Sequence, residues 1–99
     1  MYTIRYDTGA VDDLRRIEAY YQRRILAAIQ THLTRRPTVQ TKRRKPLPNL
    51  AYPWEAVPPI WELRVGEYRV FYDVSEVDQL VIVRAVRRKP PGKRTEEIV

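Results

Sequence analysis

The sequence has no cysteine and a single histidine. The first absence excludes a disulfide scaffold, a thiolate zinc site and a thiol nucleophile. The second excludes a metal centre built from several histidines. No apolar run approaches the roughly 18 residues that a membrane-spanning helix requires. The opening residues Met1-Tyr2-Thr3-Ile4-Arg5 lack the layout of a signal peptide. A cytoplasmic protein with no membrane partner, no metal and no cofactor is the expectation. Internal repeats and low-complexity tracts are also missing. What is present fits one domain over residues 1–99. A chain of this size hides roughly 60–65% of its unfolded surface on folding. Seven Tyr, two Trp and one Phe, within an apolar share of 43%, supply large units of burial and argue against disorder.

Charge is the strongest compositional signal. Nineteen Lys and Arg against twelve Asp and Glu give a formal net charge of +7. Most of the bases are Arg, whose planar fork grips a phosphate through two parallel hydrogen bonds, where Lys offers a point charge. A small Arg-rich domain of this kind points to a polyanionic partner, either nucleic acid or an acidic protein.

Tyr2, Ile4 and Tyr6 alternate with Thr3 and Arg5, which predicts a strand. Asp7 or Thr8 then caps a helix, with Asp12 and Asp13 near its first turn. From Val11 to Leu33 apolar residues recur in steps of three and four, and Pro37 ends the pattern. The pattern permits one long helix or a hairpin of two broken near Ala19-Tyr20. Arg35 to Pro59 holds six prolines and the run Lys42-Arg43-Arg44-Lys45, and reads as a loop. Leu47, Leu50, Tyr52 and Trp54 are expected to pin its second half to the body. Ile60–Val65, Tyr68–Val74 and Leu80–Arg88 read as strands, the first two joined by Gly66-Glu67 in a type II′ turn. Thr95-Glu96-Glu97 is a candidate for a short terminal helix. The expected fold class is α+β: a small, antiparallel-rich, four-stranded twisted sheet, ordered β-α-α-β-β-β, with a helical hairpin on one face.

The hairpin register gives the sheet two unlike faces. Val65 opposes Tyr68, Leu63 opposes Val70 and Trp61 opposes Tyr72 on an apolar face that receives the helices. Arg64 opposes Arg69, Glu62 opposes Phe71 and Ile60 opposes Asp73 on the other. Carried across the next loop, the same alternation sets Val74 against Leu80, Arg69 against Ala85 and Phe71 against Val83. The second face then also carries Val81, Arg87 and Lys89. Arg84 fits neither pattern, because alternation places it on the apolar face. Like charges directly opposed on a sheet are destabilising, so Arg64 beside Arg69 suggests an anion or Glu62 to offset them. Cations gathered where packing gains nothing make this face a candidate phosphate site. His32, Tyr20, Tyr21 and Trp54 read as packed residues.

The string Trp61-Glu62-Leu63-Arg64-Val65-Gly66-Glu67-Tyr68-Arg69-Val70-Phe71-Tyr72, followed by Val83 to Lys89, resembles the RelE/ParE superfamily of toxins from bacterial type II toxin–antitoxin pairs. The resemblance spans essentially the whole chain and is weakest in the Pro-rich loop. It implies a twisted sheet with helices on one face and the functional surface on the other. It also implies a cognate antitoxin with an acidic toxin-binding segment. RelE-like members cut mRNA on the ribosome without a metal, which is the expected activity; the alternatives are a ParE-like member that binds DNA gyrase and a degenerate toxin that serves only as an antitoxin-binding module. The nuclease chemistry needs cations at the phosphate, a base and an acid. By this resemblance Arg69, Lys89 and Glu62 are the catalytic candidates. Arg64, Arg87, Arg88 and the run Lys42, Arg43, Arg44 and Lys45 are the RNA-binding candidates. Two lysines of RelE fall here at Ile60 and Glu62, and no aromatic residue or histidine follows Tyr72.

Overall fold

The N-terminal alternation folds as strand β1 (Thr3–Tyr6), and the helical pattern as two helices, α1 (Thr8–Arg15) and α2 (Ala19–Leu33). The computed structural model describes all 99 residues. The break between the helices lies at Arg16–Glu18, so Ala19 opens α2 instead of marking the gap. Asp7 stands at the N-cap of α1 but makes no cap bond with its side chain. That carboxylate binds Arg84 instead. Ile25, Ile29 and Leu33, one turn apart, bury one stripe of α2 completely against the sheet.

The sheet has five strands where four were expected. Arg44–Leu47 (β2), Ile60–Val65 (β3), Tyr68–Ser75 (β4) and Leu80–Arg88 (β5) join β1 in the order β1-β5-β4-β3-β2. Three pairings are antiparallel, and β1 runs parallel to β5. The extra strand lies in the Pro-rich region. It shows no alternation and contains Pro46, which lacks an N–H and is tolerated at a sheet edge. The β3–β4 hairpin has the expected register, Val65 to Tyr68, Leu63 to Val70 and Trp61 to Tyr72. Gly66 supplies the left-handed φ of +57° at the first turn position, which suits a type II′ turn.

The β4–β5 register departs from strict alternation. Ser75, not Val74, opposes Leu80; Phe71 opposes Ala85 and Arg69 opposes Arg87. Between the Tyr72–Val83 and Phe71–Ala85 pairs, Arg84 has no partner, so β5 carries a bulge. The bulge reverses the phase of the strand. Val81 and Val83 therefore belong to the helix-side core, together with Val86, instead of the second face. Arg84 turns its guanidinium onto Asp73 (2.7 Å) and Asp7 (2.8 Å). Burial alone would lower the Arg84 pKa, but the hydrogen bonds and charges of Asp73 and Asp7 raise it. Helix α1 lies close here: a Cβ on Gly9 would come within 3.3 Å of the Arg84 carbonyl oxygen.

The second face is not bare. Ile60, Phe71 and Ala85 form a small core under Leu47, Leu50, Tyr52, Trp54 and Ala56 from the Pro-rich segment, and under Ile98 and Val99 from the C-terminus. The expected terminal helix is a single 3₁₀ turn, Thr95–Glu97. The end of this face near the Gly66 turn stays open. Tyr20 and Tyr21, expected to be packed, are 54% and 40% exposed on α2.

Two predictions follow from this packing. Removing one partner of a buried ion pair leaves an uncompensated charge, so Arg84→Ala lowers unfolding stability by about 3–5 kcal/mol in urea denaturation; a loss under about 1 kcal/mol would contradict the structure. His32 titrates below its ordinary value because it is partly buried and faces the charges of Arg43 and Arg44. A depressed folded value favours the neutral imidazole, so this contribution is complete above about pH 6.5 and fades as pH falls below it. The stability difference between pH 7 and pH 5.5 is therefore smaller in His32→Gln than in the unaltered chain.

Candidate phosphate-binding cleft

The open end of the second face is a cleft of about 140 Å³. It is lined by Lys42, Arg43, Arg44 and Lys45 from one edge, Glu62 and Arg64 of β3, Arg69 of β4, and Lys89 just after β5. No apolar side chain lines it. Arg69 forms the floor. Its side chain is only 10% exposed, and its Nη1 donates to the carbonyl oxygens of Gly66 and Tyr68, each at 2.9 Å. The backbone of the turn thus holds the guanidinium in place. Burial lowers the pKa of Arg69; the neighbouring Glu62 opposes this and Arg64 adds to it. A guanidinium starts so high that it stays charged throughout the working range. A cation in a recess of low dielectric attracts an anion more strongly than one in open water.

Glu62 is the one carboxylate of the cleft. It is 4% exposed. Oε1 faces Arg69 Nε at 3.9 Å and Lys45 Nζ at 4.0 Å, and Oε2 accepts a hydrogen bond from the Thr95 hydroxyl at 3.1 Å. Arg64 stands directly across from Arg69 in the β3–β4 ladder. Arg64, Lys89, Lys42 and Arg43 form no ion pair within the chain. One carboxylate cannot neutralise this group of cations, and the surplus suits a phosphate. Nowhere do three His, Asp or Glu side chains gather as a metal would require.

Arg69, Lys89, Glu62, Arg64, Lys42, Arg43 and Lys45 thus come together. Three other candidates do not join them. Arg44 sits at the cleft's edge but sends its guanidinium to the helix side, where it donates to the carbonyl oxygens of His32 and Val39. It caps the carbonyl end of α2, where a cation also complements the helix dipole. Arg87 is held by Asp13 of α1 and stacks over the Trp54 ring at 5.6 Å. Arg88 pairs with Glu67 at 3.0 Å and lines a separate hollow with Tyr21, Arg24 and Ile25 on the helix side. Thr95 was not among the candidates. Its contact with Glu62 joins residues 33 positions apart, in a tail with no periodic pattern to place it. Asp13 likewise looked like a first-turn carboxylate, yet it accepts from the Val86 N–H at 2.9 Å and holds Arg87.

The ParE toxin model of type II toxin–antitoxin systems (parDE) matches residues 4–89. Solved structures share the fold. A chain of the RelE–RelB complex of the archaeon Pyrococcus horikoshii OT3 superposes with a TM-score of 0.68 at 23% identity, over 94% of this chain and 98% of that one. The isolated RelE toxin of E. coli gives 0.68 at 15% identity, over 98% and 90%. A chain of the RelBE2 toxin–antitoxin complex of Mycobacterium tuberculosis gives 0.66 at 22%, over 89% and 98%. No curated protein matches the sequence. Because the family pattern runs from β1 to the residue that closes the cleft, the chain belongs to the ParE toxin family, within the RelE/ParE superfamily of type II toxin–antitoxin systems.

Proposed function

We propose that this toxin is a metal-independent endoribonuclease of the RelE type, which cuts mRNA on the ribosome and so arrests translation in the cytoplasm. The observation that carries this reading is the convergence of Arg64, Arg69 and Lys89 on one open cleft that contains a single carboxylate. In such a cleft the phosphodiester rests against Arg69 and Lys89, with Arg64 on its flank. The 2′-oxygen attacks its own phosphorus, the bond to the 5′-oxygen breaks, and a cyclic phosphate forms. The cations are placed where the pentacoordinate phosphate gathers negative charge, which is the largest single effect such a site supplies. Glu62 Oε1 takes the proton of the 2′-hydroxyl, and the departing 5′-oxygen takes one from water in the open cleft. Lys89 acts as a clamp on the phosphate and not as the base.

The partner that silences it is a cognate antitoxin with an acidic binding segment. Two features support this: the chain's net charge of +7, and the recurrence of toxin–antitoxin complexes among the structures that share its fold. A second reading, a gyrase inhibitor that cuts nothing, is favoured by the identity of the matching family model, which is that of ParE.

Mapping mRNA 5′ ends after induction separates the two. The nuclease reading predicts new ends within translated messages, and a loss of about 100- to 1,000-fold in cutting for Arg69→Ala, the scale seen when one donor to a developing anion is removed. Circular dichroism of the purified variant confirms that it is folded. Intact messages together with DNA-damage signalling would overturn the nuclease reading in favour of gyrase.

A further inference from the structure

The cleft does not end at Arg69. Beyond Lys89 the chain turns through Pro90, Pro91 and Gly92 to Lys93, and these residues line a second, more open depression of about 310 Å³. The two depressions share Arg64, Arg69 and Lys89. Lys42, Arg43 and Lys45 therefore adjoin the shared floor from the first depression, and Lys93 from the second. Lys93 has one partner, Glu97 at 3.8 Å, and its side chain is more than half exposed. Glu67, the acid of the second depression, is engaged by Arg88.

What lines these depressions is as informative as their charge. Neither has an aromatic side chain, the only apolar ones are Pro90 and Pro91 of the second, and Gln40 is the only side-chain amide. The aromatic residues that could stack on bases are elsewhere or occupied. Trp54 is packed against Tyr52, Phe71 and Arg87. Tyr20 and Tyr21 lie on α2 with Arg24 and Tyr68. Phosphate contacts position a nucleic acid, whereas base-edge contacts and stacking distinguish one sequence from another. This surface is dominated by cations suited to the former.

We infer that the two depressions form one continuous track for the sugar–phosphate backbone of single-stranded nucleic acid, which engages several consecutive phosphates and is blind to base identity. The inference rests on reading the cleft as a phosphodiester site, and extends it to Lys93 and the turn before it. A single strand is the ligand because Arg69 is recessed, and a flexible strand can lower a phosphate onto it. The choice of which bond meets Arg69 then belongs to whatever presents the strand, not to this chain.

The test is fluorescence anisotropy of the full chain with labelled RNA decamers of uridine, of cytidine and of mixed sequence, between 50 and 200 mM salt. The track predicts affinities within about threefold of one another, because phosphate contacts carry no sequence information and no aromatic ring lines it for stacking. It predicts a log–log salt slope that falls by about 0.7 in Lys93→Ala, the loss of one phosphate contact on a single strand. A uridine dinucleotide, with one phosphate, binds at least about tenfold more weakly than the decamer. A preference above tenfold for one sequence, a dinucleotide as tight as the decamer, or a Lys93→Ala slope equal to the unaltered one would overturn the track. The outcomes are separable. Decamer binding with this slope but no cut messages in cells sinks the nuclease reading and leaves the track. Cut messages with a Lys93→Ala slope unchanged do the reverse.

Discussion

Arg84 has no partner across the β4–β5 ladder, and the side of the sheet that every later residue faces depends on that. Before the bulge, Val81 and Val83 point into the helix-side core. Had alternation continued, residues 85, 87 and 89 would point there too. The extra residue shifts the phase, so Ala85 joins the outer core and Lys89 reaches the cleft that holds Arg69. Asp73, fully buried, and Asp7 at the start of α1 keep Arg84 in this position. An isolated buried arginine would be costly, and here two carboxylates make the bulge the favoured arrangement. The structural ion pair and the cationic cleft are thus two results of one inserted residue.

Within the cleft, rigidity comes from the backbone and the tail. The turn carbonyls fix the Arg69 guanidinium, and Thr95 fixes Glu62 from the C-terminal segment. Ile98 and Val99 anchor that segment on the outer core beside the Pro-rich strap. The helices have a different task. They cover the apolar face, and α1 shields the far end of β5 through Asp13. Binding groups held by packed neighbours need little reorganisation when a ligand arrives, which is where electrostatic sites gain most of their strength.

Much of the frame was legible in the residues. Alternation and a glycine at the right place define the β3–β4 hairpin register, because a period of two leaves no freedom once the turn is known. The same register put Arg64, Arg69 and Glu62 on one face. It failed in β5, where a bulge is paid for by contacts with Asp7 and Asp73 that lie 77 and 11 positions away. It also failed for β2, a short edge strand that a proline conceals. Arg44, Arg87 and Arg88 all looked like free cations in a basic protein. Their partners are a helix end, Asp13 and Glu67, and only folding brings these within reach. Charge composition points to a polyanionic partner, but tertiary pairing decides which charges are left over to meet one.

The central claim is that this leftover charge is focused on Arg69 and Lys89 and grips a phosphodiester there. The most direct measurement is a crystal structure of the protein with a short RNA blocked against cleavage by a 2′-deoxy sugar at one position. The account predicts a phosphate within hydrogen-bond distance of both Arg69 and Lys89, with Arg64 beside it. RNA ordered instead over Arg24 and Arg88 on the helix side, with the Arg69 cleft empty, would contradict it.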